Sequence, residues 1–192
     1  IASSLRELGY PVTMLPIREE LSEVDAQLAP FSPDTTFVFN LCEAFGGEGQ
    51  GSARVTKRME SLGFDHTGAT AETIANCVDK ANAKRMLLAA QVPTPPFQVF
   101  EKPDGPFELR FPVIDKPLAE DASTGITADS VVLNLRDLRA RVKYILRDYR
   151  QAALVEEYII GREFNVGFWG NDPIEPLPLG EVDYSSIPDP LR

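Results

Sequence analysis

The chain has 192 residues, 43% of them hydrophobic and 25% charged, a composition typical of a folded globular protein. Its formal net charge of −10 argues against a broad basic surface, so we expect no nucleic-acid partner, and no apolar run approaches the ~20 residues that span a bilayer. The N-terminus lacks the basic and then apolar pattern of a signal peptide. These features predict a cytoplasmic protein with no membrane partner, in which an anionic ligand needs locally grouped basic residues.

The first third of the chain alternates helical and strand-like segments. The first eight residues have the pattern of an amphipathic helix, which Gly9 ends. Strand-like segments at residues 12–15 and 36–41 enclose a helical or irregular stretch around residues 20–28. This alternation predicts an α/β unit with a parallel sheet.

A glycine-rich loop, FGGEGQGS at residues 45–52, leads into a helix predicted over residues 53–62. The loop could approach a phosphate, but it matches neither a GxGxxG fingerprint nor a P-loop. A further helix over residues 79–91 ends before the prolines of PTPP at residues 93–96. The sequence therefore predicts a glycine-rich loop, two helices after it, and then a rigid connector.

The proline connector indicates a domain boundary, which we place before the prolines. We predict an N-terminal α/β domain over residues 1–75 and a second domain over residues 76–192. Because the sequence begins at Ile1 rather than at methionine and ends in a proline-rich loop, we also expect it to be an internal part of a longer protein.

The second domain has the pattern of an α+β arrangement. Short strands are predicted at residues 97–100 and 111–116, followed by a long helix with an apolar stripe over residues 135–149. Two more strands, at residues 153–159 and 162–169, are separated by a tight turn and resemble an antiparallel hairpin.

Several polar residues of this half could together surround a nucleotide. Lysines neutralise phosphate oxygens, backbone N–H groups of a loop close over them, and carboxylates accept from an adenine amino group and from ribose hydroxyls. The candidate residues are Lys80, Lys116, Ser123, Thr124, Gly125, Glu156, Glu157 and Glu163.

Each of these residues also has a purely structural interpretation. Lys80 and Lys84 could form an exposed helix face, and the segment after Lys116 could be an ordinary turn. Glu156 and Glu157 could cap an edge strand, while the glutamate at position 163 could pair with a neighbouring side chain. The residues alone leave both interpretations open.

The order of five motifs resembles that of the ATP-grasp ligases, and specifically of the D-alanine–D-alanine ligase family. The motifs are NLCEAFGGEGQG, HTGATAETIANCVDKANAK, VPTPP, FPVIDKPLAEDASTGI and LVEEYIIGREFNVGFWG. The resemblance implies an ATP-grasp fold fragment of class α/β (α+β), with a parallel α/β subdomain followed by the central lid subdomain. It also implies an ATP-dependent ligase that forms an amide through an acyl phosphate and takes small amino-acid substrates, and it leaves a homodimer open.

The resemblance also implies roles for the phosphate-side residues. Lys80 and Lys116 correspond to the family's nucleotide-phosphate lysines. The loop from Asp121 to Gly125, which includes Ser123 and Thr124, corresponds to the lid over the phosphates.

Other residues correspond to the family's adenosine site. By the same resemblance, Glu156 faces the adenine amino group, and Glu157 with the backbone of Ile159 lines the adenine slot. Glu163 is implied to hold the ribose.

The sequence departs from the family pattern at several positions. Residues 42–44 stand where the family commonly has a histidine, Ala122 replaces the first of two lid serines, and Asp115 replaces an apolar strand residue. The family's Mg²⁺ ligands belong to a C-terminal segment that this sequence lacks, so we expect Mg²⁺ as a cofactor but no ligands for it here. A ligase for other amino acids and a non-catalytic nucleotide-binding module of the same fold are the alternatives.

Overall fold

The computed structural model of the protein describes residues 1–43, 45–46 and 51–185. These residues form six α-helices and eight short strands, and they contain two hydrophobic cores, one in each half of the chain. None of these helices is both long enough and apolar enough to cross a membrane.

Helices and loops build the N-terminal half. Helix α1 covers Ala2–Glu7, α2 Ser22–Leu28, α3 Gly51–Ser61 and α4 Ala71–Val78. Gly9 follows α1 with φ +88°, a conformation that glycine adopts without strain and that ends the helix as predicted. Side chains from α2, α3 and the loops next to them form the first core, whose buried members are Val24, Leu28, Phe45, Val55, Met59 and Phe64.

Helix α5 covers Lys80–Ala89 and follows α4 after a single residue, Asp79. The Asp79 side chain accepts a hydrogen bond from the backbone N–H of Asn82 at 2.9 Å, which caps the start of α5. The cap therefore starts a new helix directly after α4. Helix α4 runs through the predicted boundary after residue 75, and that boundary stays a prediction.

A four-stranded antiparallel sheet forms the centre of the second half. Strand β1 covers Phe97–Phe100, β2 Val113–Pro117, β3 Val131–Val132 and β4 Ala153–Glu157. The strands lie in the order β1-β4-β2-β3, so β4 and β2 are the central pair. Residues on these two strands therefore meet side by side on each face of the sheet.

Helix α6, Leu135–Asp148, packs on one face of this sheet. The Asn134 side chain caps its N-terminus by accepting from the N–H of Asp137 at 3.0 Å. Leu138, Val142 and Ile145 recur at helical spacing and are buried against the sheet, which confirms the predicted apolar stripe. The other face of β2 and β4 carries Ile114, Lys116, Leu154 and Glu156.

The last described segment forms two small sheets. Strand β5, Phe164–Asn165, pairs with β8, Gly180–Glu181, and β6, Phe168–Trp169, pairs with β7, Glu175–Pro176. The residues of these four strands are exposed. The predicted strand at 162–169 is therefore interrupted, and its two pieces pair with later segments.

Three sequence predictions are wrong in the described residues. Residues 12–15 and 36–41 form no strand, and the pairing found there is one parallel bridge between Val38 and His66. The predicted hairpin is also wrong, because β4 pairs with β1 and β2 instead of with the segment that follows it. An extended segment becomes a strand only where a partner completes its hydrogen bonds, and periodicity does not identify the partner.

Candidate functional site

A cluster of charged side chains lies on the face of the central sheet that α6 does not cover. Lys116 on β2 donates a hydrogen bond to one carboxylate oxygen of Glu156 on β4. Lys84 on α5 donates to the other carboxylate oxygen at 2.6 Å and also to Thr94 Oγ1 at 2.6 Å. The Lys84 ammonium group lies 5.2 Å from the centre of the Phe97 ring. Glu156 is thus held by two lysines that reach it from different elements.

The two lysines decide the charge of Glu156. Burial alone would raise its pKa, but the hydrogen bonds and positive charges of Lys116 and Lys84 outweigh burial and lower the pKa. Glu156 is therefore an ionised carboxylate with both oxygens hydrogen-bonded in the ligand-free structure.

Lys80, at the first position of α5, lies beside this cluster. Its ammonium group donates to the backbone oxygen of Pro117 at 2.9 Å and to that of Glu120, and its N–H donates to the backbone oxygen of Leu118 at 3.1 Å. Burial, followed by the positive charge of Lys116, lowers the pKa of Lys80. The nearby carboxylates of Glu120, Asp121 and Glu156 act in the opposite direction and raise this pKa. Lys80 and Lys116 thus place two ammonium groups close enough to influence each other, among carboxylates that partly balance their charge.

The segment of residues 121–127, called here the 121–127 loop, follows this lysine pair. Its turns are closed by hydrogen bonds from the N–H of Thr124 to Asp121 O at 2.9 Å and from the N–H of Ile126 to Ser123 O at 3.0 Å. Ala122, Ser123 and Gly125 have positive φ values of 48°, 60° and 78°. Residues 121–124 are exposed, so their polar groups are accessible to a ligand.

Gly125 is required by this conformation. A Cβ atom at Gly125 would lie 2.5 Å from Pro117 Cγ and 3.0 Å from Tyr149 Cζ, besides occupying a left-handed φ. The end of the 121–127 loop therefore packs closely on the end of β2, immediately after Lys116.

The residues expected around adenine and ribose lie further along the chain. Arg110 donates three hydrogen bonds to the Glu157 carboxylate, from its backbone N–H at 3.1 Å, from Nε at 3.2 Å and from Nη2 at 3.1 Å. Ile159 is exposed, and Glu163 accepts a hydrogen bond from the Tyr184 hydroxyl. Ile159 and Glu163 line an open cleft of about 400 Å³.

The structure brings some of the predicted residues together and separates others. Lys80, Lys116 and Glu156 form one cluster with the 121–127 loop beside it. Among the described residues, the lining of the open cleft includes Ile159 and Glu163 but none of those three. The roles of these residues in nucleotide binding stay predictions.

Two structural interpretations of the candidate residues are wrong. Lys84 is 7% exposed and ion-paired, so it does not belong to a solvated helix face. Glu156 and Glu157 lie on β4, an interior strand of the sheet, and cap no edge.

Sequence reasoning did not select Lys84 and Arg141 as candidate site residues, although the position of each in the sequence indicates a role. Lys84 follows Lys80 by four residues, so both point from the same face of α5. Arg141 directly precedes Val142 of the apolar stripe, a position at which a charged side chain can reach inward.

The donor set for a divalent cation is incomplete here. The part of the chain that the structure describes contains no group of three or more His, Cys, Asp or Glu side chains that could hold a metal ion. The described residues therefore do not fit the Mg²⁺ that the resemblance implies.

Comparison with known proteins identifies relatives of this arrangement. The family model described as "D-ala D-ala ligase C-terminus" matches residues 86–187. The chain is 36% identical over its whole length to an uncharacterised protein of Sinorhizobium fredii, covering 57% of that protein. It is 28% identical over 95% of its length to the D-alanine–D-alanine ligase of Aquifex aeolicus, covering 58% of it. The chain thus spans little more than half the length of these relatives.

Solved structures show the same fold. An L-amino acid ligase from Bacillus licheniformis aligns over 84% of this chain and 35% of its own, with a TM-score of 0.61 and 20% identity. The D-alanine–D-alanine ligase of Coxiella burnetii aligns over 70% of this chain and 42% of its own, with a TM-score of 0.59 and 21% identity. At such identities the likeness establishes the fold alone.

Proposed function

The chain belongs to the D-alanine–D-alanine ligase family, with the fold of an ATP-grasp ligase fragment, and we propose that it provides the nucleotide site of an ATP-dependent carboxylate–amine ligase. The observation that carries this proposal is the position of Lys80 and Lys116 at the end of β2: the Lys80 ammonium group is bound to Pro117 O, next to Lys116, and the 121–127 loop packs on Pro117. Two ammonium groups next to a loop whose residues 121–124 are exposed suit a polyphosphate.

The proposed reaction needs positioning more than covalent help from the protein. A carboxylate oxygen of the first amino acid attacks the γ-phosphorus of ATP, the bond to the bridging oxygen breaks and ADP leaves. The amine of the second substrate then attacks the acyl carbon, loses a proton and expels phosphate. Lys80 and Lys116 would neutralise phosphate charge during the first step, which is the main electrostatic demand of phosphoryl transfer.

Glu156 would serve the adenine side of the same site. When Lys116 turns to a phosphate oxygen, Lys84 still holds Glu156 through its 2.6 Å hydrogen bond and keeps it ionised. An ionised carboxylate accepts from the exocyclic amino group of adenine, whereas guanine presents a carbonyl oxygen at the equivalent position. This arrangement supports ATP as the nucleotide. Glu157, Ile159 and Glu163 would complete the adenosine site, as the family resemblance implies.

The amino-acid substrates are proposed more broadly than D-alanine. Curated relatives are named D-alanine–D-alanine ligases, and a protein of the same fold is named an L-amino acid ligase. Ala122 lacks the hydroxyl that the family pattern has at the first lid serine, which removes one hydrogen bond available to a polar substrate. We therefore include small amino acids other than D-alanine as substrates.

A panel of D- and L-amino acids tests this proposal in the full-length protein supplied with ATP and Mg²⁺. We expect phosphate release together with an amide product for at least one small amino acid, and loss of both in Lys116→Met. The exposed Lys143 on α6 gives a matched control, Lys143→Met, which should retain activity. Absence of phosphate release across the panel, with ATP still bound, would favour a non-catalytic nucleotide-binding module.

A further inference from the structure

Arg141 on α6 joins three elements around the 121–127 loop. Its Nε donates to both carboxylate oxygens of Asp115 on β2, at 3.1 and 3.2 Å. Its Nη2 donates to the backbone oxygen of Gly125 at 3.2 Å and to Ser130 Oγ at 2.8 Å. The guanidinium carbon also lies 4.7 Å from the centre of the Tyr144 ring. One side chain thus connects the strand, the loop and the helix.

The Asp115–Arg141 ion pair is almost completely buried. The Asp115 side chain is fully buried, and that of Arg141 is 14% exposed. Burial raises the pKa of Asp115, and the hydrogen bond and charge of Arg141 oppose this rise. Apolar residues of similar volume often stabilise a protein as well as a buried ion pair does. Stability alone therefore does not explain a charged pair at this position.

Unlike two apolar side chains, the Asp115–Arg141 pair makes directional hydrogen bonds to the 121–127 loop. Gly125 O accepts from Arg141, and Ser130 Oγ accepts from the N–H of Thr127 at 3.0 Å while also accepting from Arg141. The C-terminal end of the 121–127 loop is therefore hydrogen-bonded to the residue that also holds Asp115. Asp115 directly precedes Lys116 on β2. The Asp115–Arg141 pair therefore connects the 121–127 loop to the strand position next to Lys116.

We propose that Arg141 is a positioning residue that fixes the C-terminal end of the 121–127 loop relative to Lys116. Through Asp115 and Gly125 it sets the distance between the loop's backbone N–H groups and the lysine. Given the proposed function, that distance decides how well both contact the phosphates of one nucleotide.

Hydrogen exchange in the nucleotide-free, full-length protein measures the anchoring without relying on activity. The reporter amides are those of Thr124, Ile126 and Thr127, which are hydrogen-bonded within the loop or to Ser130. Arg141→Lys keeps the charge beside Asp115 but loses the planar fork that reaches Gly125. We expect faster exchange at these amides and a KM for ATP raised about tenfold, as expected for loss of a charged hydrogen bond. Arg139→Lys, at an exposed position of α6, is the control that should change neither.

A double variant separates positioning from stability. Asp115→Val with Arg141→Met replaces the pair by apolar side chains, which should preserve the melting temperature. Hydrogen exchange at the three reporter amides of the loop should still be faster than in the wild-type protein. Wild-type protection of the loop in a folded double variant, or in Arg141→Lys, would overturn the proposal. If the wild-type protein shows no ATP turnover, the exchange result still decides the anchoring, so failure of the proposed function is recognised separately.

Discussion

Lys116 and Glu156 occupy diagonal positions on the central strands β2 and β4, on one face of the sheet, and their side chains form an ion pair. The register pairs Lys116 with Leu154 and Ile114 with Glu156, so the two charged residues are one diagonal step apart. Antiparallel pairing therefore creates a contact between residues 40 positions apart in sequence. This contact joins the phosphate side and the adenine side of the proposed site.

Nucleotide preference should depend on Glu156. We expect the wild-type protein to use ATP in preference to GTP, because guanine would place a carbonyl oxygen instead of a donor against the Glu156 carboxylate, at a cost of about 1–3 kcal/mol. In Glu156→Gln the preference should shrink, since an amide can donate as well as accept. Competition between the two nucleotides, measured as kcat/KM, checks this. Equal use of ATP and GTP by the wild-type protein would contradict the assigned role.

The buried position of Lys84 predicts a stability effect. Lys84→Met should lower the free energy of unfolding by about 1–3 kcal/mol, because Glu156 loses one of two charged partners. Arg85→Met, at the exposed neighbouring position, should stay within about 0.5 kcal/mol of wild type. Denaturant unfolding of both variants, and of Lys84→Met combined with Glu156→Gln, measures the coupling. Additive effects in that double variant would show that Lys84 does not act through Glu156.

The lowered pKa of Glu156 predicts a pH dependence with a definite sign. A carboxylate whose pKa is lower in the folded state stabilises the protein above its ordinary value of 4.5, and this contribution is lost as the pH falls through the folded pKa. The stability advantage of wild type over Glu156→Gln should therefore be largest at neutral pH and shrink below 4.5. Unfolding free energies of both proteins from neutral to acidic pH test this. A difference that stays constant with pH would argue against an ionised Glu156.

Much of the secondary structure in the second half of the chain could be predicted from the sequence, because it depends on residues that are close together in sequence. The stripe of α6 and the strands at β1, β2 and β4 follow from periodicity, which depends on neighbours in sequence. The pairing of β4 with β1 and β2 depends on partners that lie far away in sequence, on the other side of α6, so the hairpin prediction was wrong. The resemblance identified Lys80 and Lys116 as candidates, but the burial of Lys84 depends on how α5 packs beside the sheet.

Amino-acid selectivity should respond to Ala122. Ala122→Ser would restore a hydroxyl at the position where the family pattern has its first lid serine, adding one hydrogen bond of about 0.5–1.5 kcal/mol. We expect a severalfold gain for D-alanine relative to other small amino acids, measured as amide product in paired substrate assays. Because Ala122 already has a positive φ of 48°, Ala122→Gly is a useful control for backbone effects. If Ala122→Ser has the same substrate profile as the wild-type protein, position 122 does not determine amino-acid selectivity.

The central claim is that Lys80 and Lys116 together hold the phosphates of ATP, and calorimetric titration with a non-hydrolysable ATP analogue tests it most directly. In the full-length protein, Lys80→Met and Lys116→Met should each raise the Kd roughly 10- to 100-fold, about 1.5–3 kcal/mol for a charged hydrogen bond. The exposed Lys102→Met should leave the Kd unchanged, and melting temperatures show whether each variant is folded. An unchanged Kd in folded Lys80→Met and Lys116→Met would contradict the account.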